Sequence, residues 1–147
     1  MIVVVTGPPA AGKSSYIASR AKATDIVIDL DRIAIALAGP GAPQWKHDET
    51  LLKVAHRARF AAIDEAFRHA DKTTVWLIHT MPSPKWLARY RRHGAEVVAV
   101  DPGKDIVMQR IQDMRSPALQ AVATKWYRQR DKQRTASRVT RQASRAW

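Results

Sequence analysis

The segment Gly7-Pro8-Pro9-Ala10-Ala11-Gly12-Lys13-Ser14 fits the pattern G-x-x-x-x-G-K-[ST] at every fixed position. It follows the apolar run Ile2 to Thr6, which reads as a strand, and it opens a helical pattern. A strand, a loop and a helix in that order aim successive backbone N–H groups and a helix N-terminus at phosphate oxygens. Gly7 and Gly12 supply backbone freedom and close approach on either side of Pro8, Pro9, Ala10 and Ala11. Lys13 is placed to reach β- and γ-phosphates as a point charge, and the Ser14 hydroxyl to ligate Mg²⁺. Ser15 is a candidate for a further phosphate contact. The pattern predicts nucleoside triphosphate binding, with ATP and Mg²⁺ as cofactors. It leaves the fate of the γ-phosphate open, because kinases, GTPases, motors and switches share it.

A second constellation lies in Ile26-Val27-Ile28-Asp29-Leu30-Asp31-Arg32, where two carboxylates and a guanidinium follow a predicted strand. Ligands of open parallel sheets lie outside the carboxyl ends of the strands, so this segment is expected on the same edge as the glycine-rich loop. A hydroxyl attacking a γ-phosphate needs an acceptor for its proton, and Mg²⁺ needs oxygen partners. Asp29 and Asp31 could divide those tasks. The alternative is a capping role, with Asp31 at the start of a helix over Ile33 to Ala38.

With these residues the chain resembles a family. The loop plus Asp29-x-Asp31 looks like the small P-loop kinases that phosphorylate hydroxyls, such as the shikimate and gluconate kinases. That resemblance implies Mg²⁺ held with help from Asp29, and Asp31 as the proton acceptor. Read as Asp29-x-x-Arg32, the same stretch resembles the 5′-kinase domain of phage polynucleotide kinases. There Asp29 would be the base and Arg32 would contact the acceptor phosphate, so the two readings exchange the base. Val100-Asp101-Pro102 followed by Arg110 and Arg115 is similar to the polynucleotide kinases, which implies lid arginines on the triphosphate. Such groups neutralise charge that develops during phosphoryl transfer. The chain departs from those 5′-kinases after its third strand, where their Asp-Thr-Asn stretch is replaced by His79-Thr80-Met81. His79 is a candidate for an acceptor or phosphate contact, or a hydrogen-bonded structural residue. No acidic residue stands at that strand end to hold a metal, which moves the metal role toward Asp29 and away from motor ATPases.

Strands are expected at Ile2–Thr6, 25–29, 73–80 and 96–100, all of them buried, separated by helical patterns. That alternation predicts an α/β fold, a P-loop NTPase-type three-layer sandwich with a four- or five-stranded parallel sheet between helices. Apolar residues from Leu51 to Phe67 at three- and four-residue steps place one long amphipathic helix over 47–70. Ser83-Pro84, Asp101-Pro102 and Ser116-Pro117 each put a side-chain acceptor before a proline at the first helical position. Gly39, Pro40, Gly41 and Pro43 break the chain into a loop tipped by Trp45.

The 147 residues include no cysteine, which excludes disulfides and thiolate metal sites, and a cytoplasmic setting is the expectation. The N-terminal apolar run is far too short to cross a bilayer, so no membrane partner is expected. Lys and Arg total 25 against 13 Asp and Glu, a net charge of +12. Much of the excess lies after Thr124, where Asp131 is the only acidic residue among many Lys and Arg. Polyanions are natural partners for such a segment. The organisation expected is a kinase domain over 1–127 and a basic arm or helix over 128–147, the arm beginning at Arg128. Three functions remain in view: a kinase of nucleic-acid 5′-hydroxyls, a kinase of a small metabolite or nucleoside, and a non-catalytic ATP-dependent nucleic-acid-binding module. The first draws on the charge, on Arg89, Arg91 and Arg92, and on Trp45, Trp86, Trp126 and Tyr127 as exposed rings for base stacking.

Overall fold

The structure, a computed structural model, describes residues 1–44, 46–114 and 116–145, with side chains as far as Arg134. Trp45 and Arg115 therefore lie outside the described residues. Four strands, β1 (Ile2–Thr6), β2 (Ile26–Ile28), β3 (Val75–Ile78) and β4 (Glu96–Ala99), form one sheet in the order β2-β3-β1-β4. Every neighbouring pair is parallel, with Val4 beside Leu77 and Val97, and Ile28 beside Leu77. The helices are α1 (Lys13–Ala18), α2 (Leu30–Leu37), α3 (Glu49–Arg68), α4 (Pro84–Arg92), α5 (Lys104–Asp113) and α6 (Pro117–Arg145). The fold is α/β, a four-stranded parallel sheet flanked by helices, compatible with a three-layer sandwich. Among the described residues no helix is long and apolar enough to cross a membrane.

The chain divides into two compact units, Met1–Thr6 with Lys13–Ala99, and Gly7–Gly12 with Val100–Trp147. In the first, all five residues of β1 are buried. Successive strand residues point to opposite faces, so β1 is covered on both. One face forms a core of Ile2, Val4, Ile28, Val75 and Leu77 against Ile63 and Phe67 of α3 and Tyr90 of α4. In the second unit α5 packs on α6, burying Val107 and Ile111 with Ala123, Trp126 and Tyr127.

Side-chain caps account for several helix starts, with two departures from expectation. Ser83 accepts from the Trp86 N–H, and Ser116 from Leu119. Asp29, not Asp31, caps α2, accepting from the Asp31 N–H at 3.1 Å, so Asp31 sits within the first turn. Asp101 does not begin α5. Its Oδ1 takes the Gly103 N–H and the Tyr127 hydroxyl, and its Oδ2 takes Arg130, leaving Gly103 as a cap without a side chain. β4 is not a buried strand: it is an edge, and Glu96, Val97 and Ala99 are exposed.

Two aromatic expectations fail for one reason, burial. Trp126 is 9% and Tyr127 2% exposed, so neither offers a face for base stacking. Trp86 is half-buried, stacked on Phe60 with ring centroids 5.6 Å apart, and Arg89 lies over it while pairing with Asp64. Arg91 and Arg92 are exposed. The helix continues through Tyr127 without a break at Arg128, and Arg130 is anchored on Asp101 at 3.1 Å.

Candidate functional site

Parallel strands put Thr6, Asp29, His79 and Ala99 at or just beyond one edge of the sheet, the carboxyl edge. The loop Gly7–Gly12 continues from Thr6. Its backbone alternates in hand: Gly7 has φ 146°, Ala10 φ 61° and Gly12 φ 96°. Gly7 is required by space, since a Cβ there would stand 2.2 Å from the Val100 carbonyl oxygen. A Cβ at Gly12 would meet nothing within 4 Å, so its φ alone calls for glycine. Ala10 carries a side chain in the left-handed region, at a cost of roughly 1–2 kcal/mol. Within the same unit Arg110 Nη1 donates to the Ala10 carbonyl at 3.0 Å. Pro8 and Ala11 are buried, and Pro9 is half-buried.

Lys13 opens α1 and is half-buried. Burial lowers its ammonium to a pKa of about 8, against an upward pull from Asp29. Ser14 and Ser15 are exposed. Asp29 is half-buried, and burial raises its carboxyl above the ordinary range, against the Asp31 N–H, Arg32 and Lys13. Asp31 is exposed and so is Arg32. The first unit therefore couples Lys13 electrostatically to Asp29 and sets Asp31 two residues farther along, exposed.

The chain matches no known family, curated protein or solved structure.

Three side chains of this edge were not foreseen. Arg59 of α3 is 6% exposed, donates to the Ile78 carbonyl at 3.2 Å and bonds Tyr90; burial lowers its pKa, against the pull of Tyr90 and Asp29. Tyr90 is buried, and its hydroxyl lies 2.7 Å from His79 Nδ1. His79 is held at about 4, first by burial and then by the Arg59 charge, so its imidazole is neutral near pH 7. A neutral ring engaged with Tyr90 fits the structural role rather than a cationic phosphate contact. The third is His47, whose Nε2 lies 2.6 Å from Asp31 Oδ1. Arg59 had a signal in the sequence: it falls four residues after Ala55 and four before Ile63, on the stripe that α3 buries.

Among the described residues no three His, Cys, Asp or Glu side chains gather to hold a metal by themselves. A metal here would need other oxygens, as Mg²⁺ bound through one carboxylate, waters and substrate phosphates does.

Proposed function

We propose that the chain is an ATP·Mg²⁺-dependent phosphotransferase of the P-loop type, moving the γ-phosphate to a hydroxyl acceptor, with a 5′-hydroxyl of DNA or RNA as the favoured acceptor. The observation that carries this reading is the Gly7–Ser14 segment, which runs from the end of β1 of a parallel sheet into α1, while β2 ends at Ile28, immediately before Asp29. The residues fit the ligand. Pro8 and Pro9 have no N–H to offer, so the backbone donors available to an anion are those from Ala10 onward, where positive φ at Ala10 and Gly12 flanks Ala11. A half-buried ammonium lowered to about 8 is one that a polyphosphate would recharge.

Bound ATP·Mg²⁺ would supply the transferable phosphoryl group and a divalent charge on its phosphate oxygens. Lys13 offsets charge on those oxygens, Ser14 and Asp29 are the metal-side groups, and Arg110, with Arg115 by resemblance, stabilises charge that grows as the bond to ADP breaks. Asp31 takes the proton of the attacking hydroxyl. The division follows from burial: Asp29 faces Lys13 and spends one oxygen on the α2 cap, whereas the Asp31 side chain is 69% exposed, within reach of an acceptor.

The nucleic-acid acceptor is supported by the net charge of +12, by exposed Arg91 and Arg92, and by the basic α6. One observation favours a small-molecule acceptor instead. A cavity of about 410 Å³, lined by Leu37, Ala38, Pro43, Leu51, Lys46 and His47, lies against the imidazole that reaches Asp31.

Transfer of labelled phosphate from ATP to 5′-hydroxyl oligonucleotides, nucleosides and polyols separates the readings. Label on the oligonucleotide supports the first, and label on a small polyol or nucleoside the second. Nucleotide-dependent DNA binding without label points to a binding module. Lys13→Ala is expected to lower transfer at least about 10²-fold, as loss of comparable charge-stabilising groups does; unchanged turnover would defeat the phosphate-loop reading.

A further inference from the structure

We propose that His47 is the positioning residue for the proton acceptor: its Nε2–H holds Oδ1 of Asp31, fixing the carboxylate so that Oδ2 meets the acceptor hydroxyl. The inference rests on the phosphotransfer reading above, and names how that site selects Asp31 over Asp29.

The contact joins two helix starts. Asp31 lies in the first turn of α2, locked by the Asp29 cap. His47 directly precedes Asp48, which caps α3 by accepting from the Thr50 N–H at 3.0 Å. α2 packs on α3, so both partners sit on capped ends of mutually packed helices rather than on free loop tips. The separation of 2.6 Å is that of a charge-assisted bond.

Burial fixes the direction of the bond. The His47 side chain is 9% exposed, and its Nδ1 is buried with no hydrogen-bond partner among the described residues. A neutral imidazole carries one N–H. Placed on Nδ1, that hydrogen would be a buried donor without an acceptor, while Nε2 would turn a lone pair toward a carboxylate oxygen. Placed on Nε2, it is donated to Asp31. The Nε2–H form is therefore the one the surroundings select.

This arrangement suits a base better than a lysine or arginine would. Its directed N–H orients one oxygen of the carboxylate and leaves the other open to the acceptor. It also accounts for the stranded Nδ1. A residue kept only for packing would gain by losing that buried acceptor, since unpartnered buried polar groups destabilise the fold.

Two measurements on the full chain test the assignment. Long-range ¹H–¹⁵N correlation on histidine-labelled protein, with the His47 signal identified by its loss in His47→Ala, should show a hydrogen on Nε2. Steady-state transfer to a 5′-hydroxyl oligonucleotide, or to whichever polyol or nucleoside accepts label, should show kcat reduced on the order of 10- to 100-fold in His47→Ala, with KM for ATP unchanged. His47→Gln, whose amide N–H stands near the Nε2 position, should restore most of the loss. In an Asp31→Asn background His47→Ala should cost nothing further. An Nδ1–H ring, or a His47→Gln variant that is folded yet as slow as His47→Ala, overturns the positioning role while leaving phosphotransfer standing. An equal loss in the Asp31→Asn background overturns it as well. A wild-type chain that labels no acceptor overturns the phosphotransfer reading and the positioning role with it.

Discussion

Arg110 and Ala10 are a hundred residues apart in the chain, yet the guanidinium of one donates to the carbonyl of the other at 3.0 Å. Ala10 is also the one described residue other than glycine with a positive φ. The bond thus grips the loop at its strained position. A strained residue held by an outside partner is a recurrent feature of functional loops.

Replacing Ala10 by glycine should relax the loop. The methyl group is the source of the strain at φ 61°, so Ala10→Gly is expected to stabilise the fold by roughly 0.5–1 kcal/mol. Thermal denaturation would show a rise of about 2–4 °C. A fall would mean that the methyl group makes a contact worth more than the strain.

Gly7→Ala should do the reverse. The added Cβ would meet the backbone oxygen of Val100, which has no rotamer to yield with. A loss of about 2 kcal/mol or more is expected in urea denaturation. Gly12→Ala, with open space around it, should show only the smaller effect of its φ.

His79 predicts a pH dependence of stability. Its pKa is about 4 in the folded chain and near 6.5 when unfolded, so between these values the unfolded chain binds the extra proton. The contribution is fully present above about 6.5 and is lost as pH falls toward 4. Comparing melting temperatures at pH 7 and 4.5, the wild type should drop further than His79→Gln. Equal drops would remove His79 from the acid response.

Asp101 should matter to α6 far more than Asp131. Its carboxylate is 17% exposed and takes the Tyr127 hydroxyl at 2.7 Å as well as Arg130. Burial, and then this carboxylate, keep the Tyr127 phenol protonated well above its ordinary range. Asp101→Asn is expected to cost roughly 1.5–3 kcal/mol, and Asp131→Asn, whose side chain is 64% exposed, less than about 0.5 kcal/mol in chemical denaturation.

The parts of this molecule legible in its sequence are those set by near neighbours. The β1 strand, the helix that opens directly after Gly12 and the Ser83 cap each depend on residues a few positions apart, and each stands where its local pattern places it. β2 and β3 are shorter than their apolar runs because pairing ends where the register does, at Ile28 and Ile78. What the pattern cannot carry is a partner chosen by the fold. Asp101 precedes a proline as a cap would, yet answers to Tyr127 and Arg130, 26 and 29 residues on. Trp126 and Tyr127 sit in a strongly basic segment, and only the packing of α6 on α5 reveals them as core. The His47 contact spans 16 residues and a loop of prolines and glycines, with no periodicity to announce it.

The edges of the sheet bear on self-association. β2 has three residues and β4 four, and β4 begins at Glu96, a charged and exposed side chain. A second copy adding its own strand would find a short row of open N–H and C=O groups on either side, with a carboxylate at the start of one of them. Short, charged edges are the means by which sheets resist joining end to end. In this chain the defence against strand-to-strand aggregation is built into the two outer strands themselves, and mutual repulsion at a net charge of +12 reinforces it.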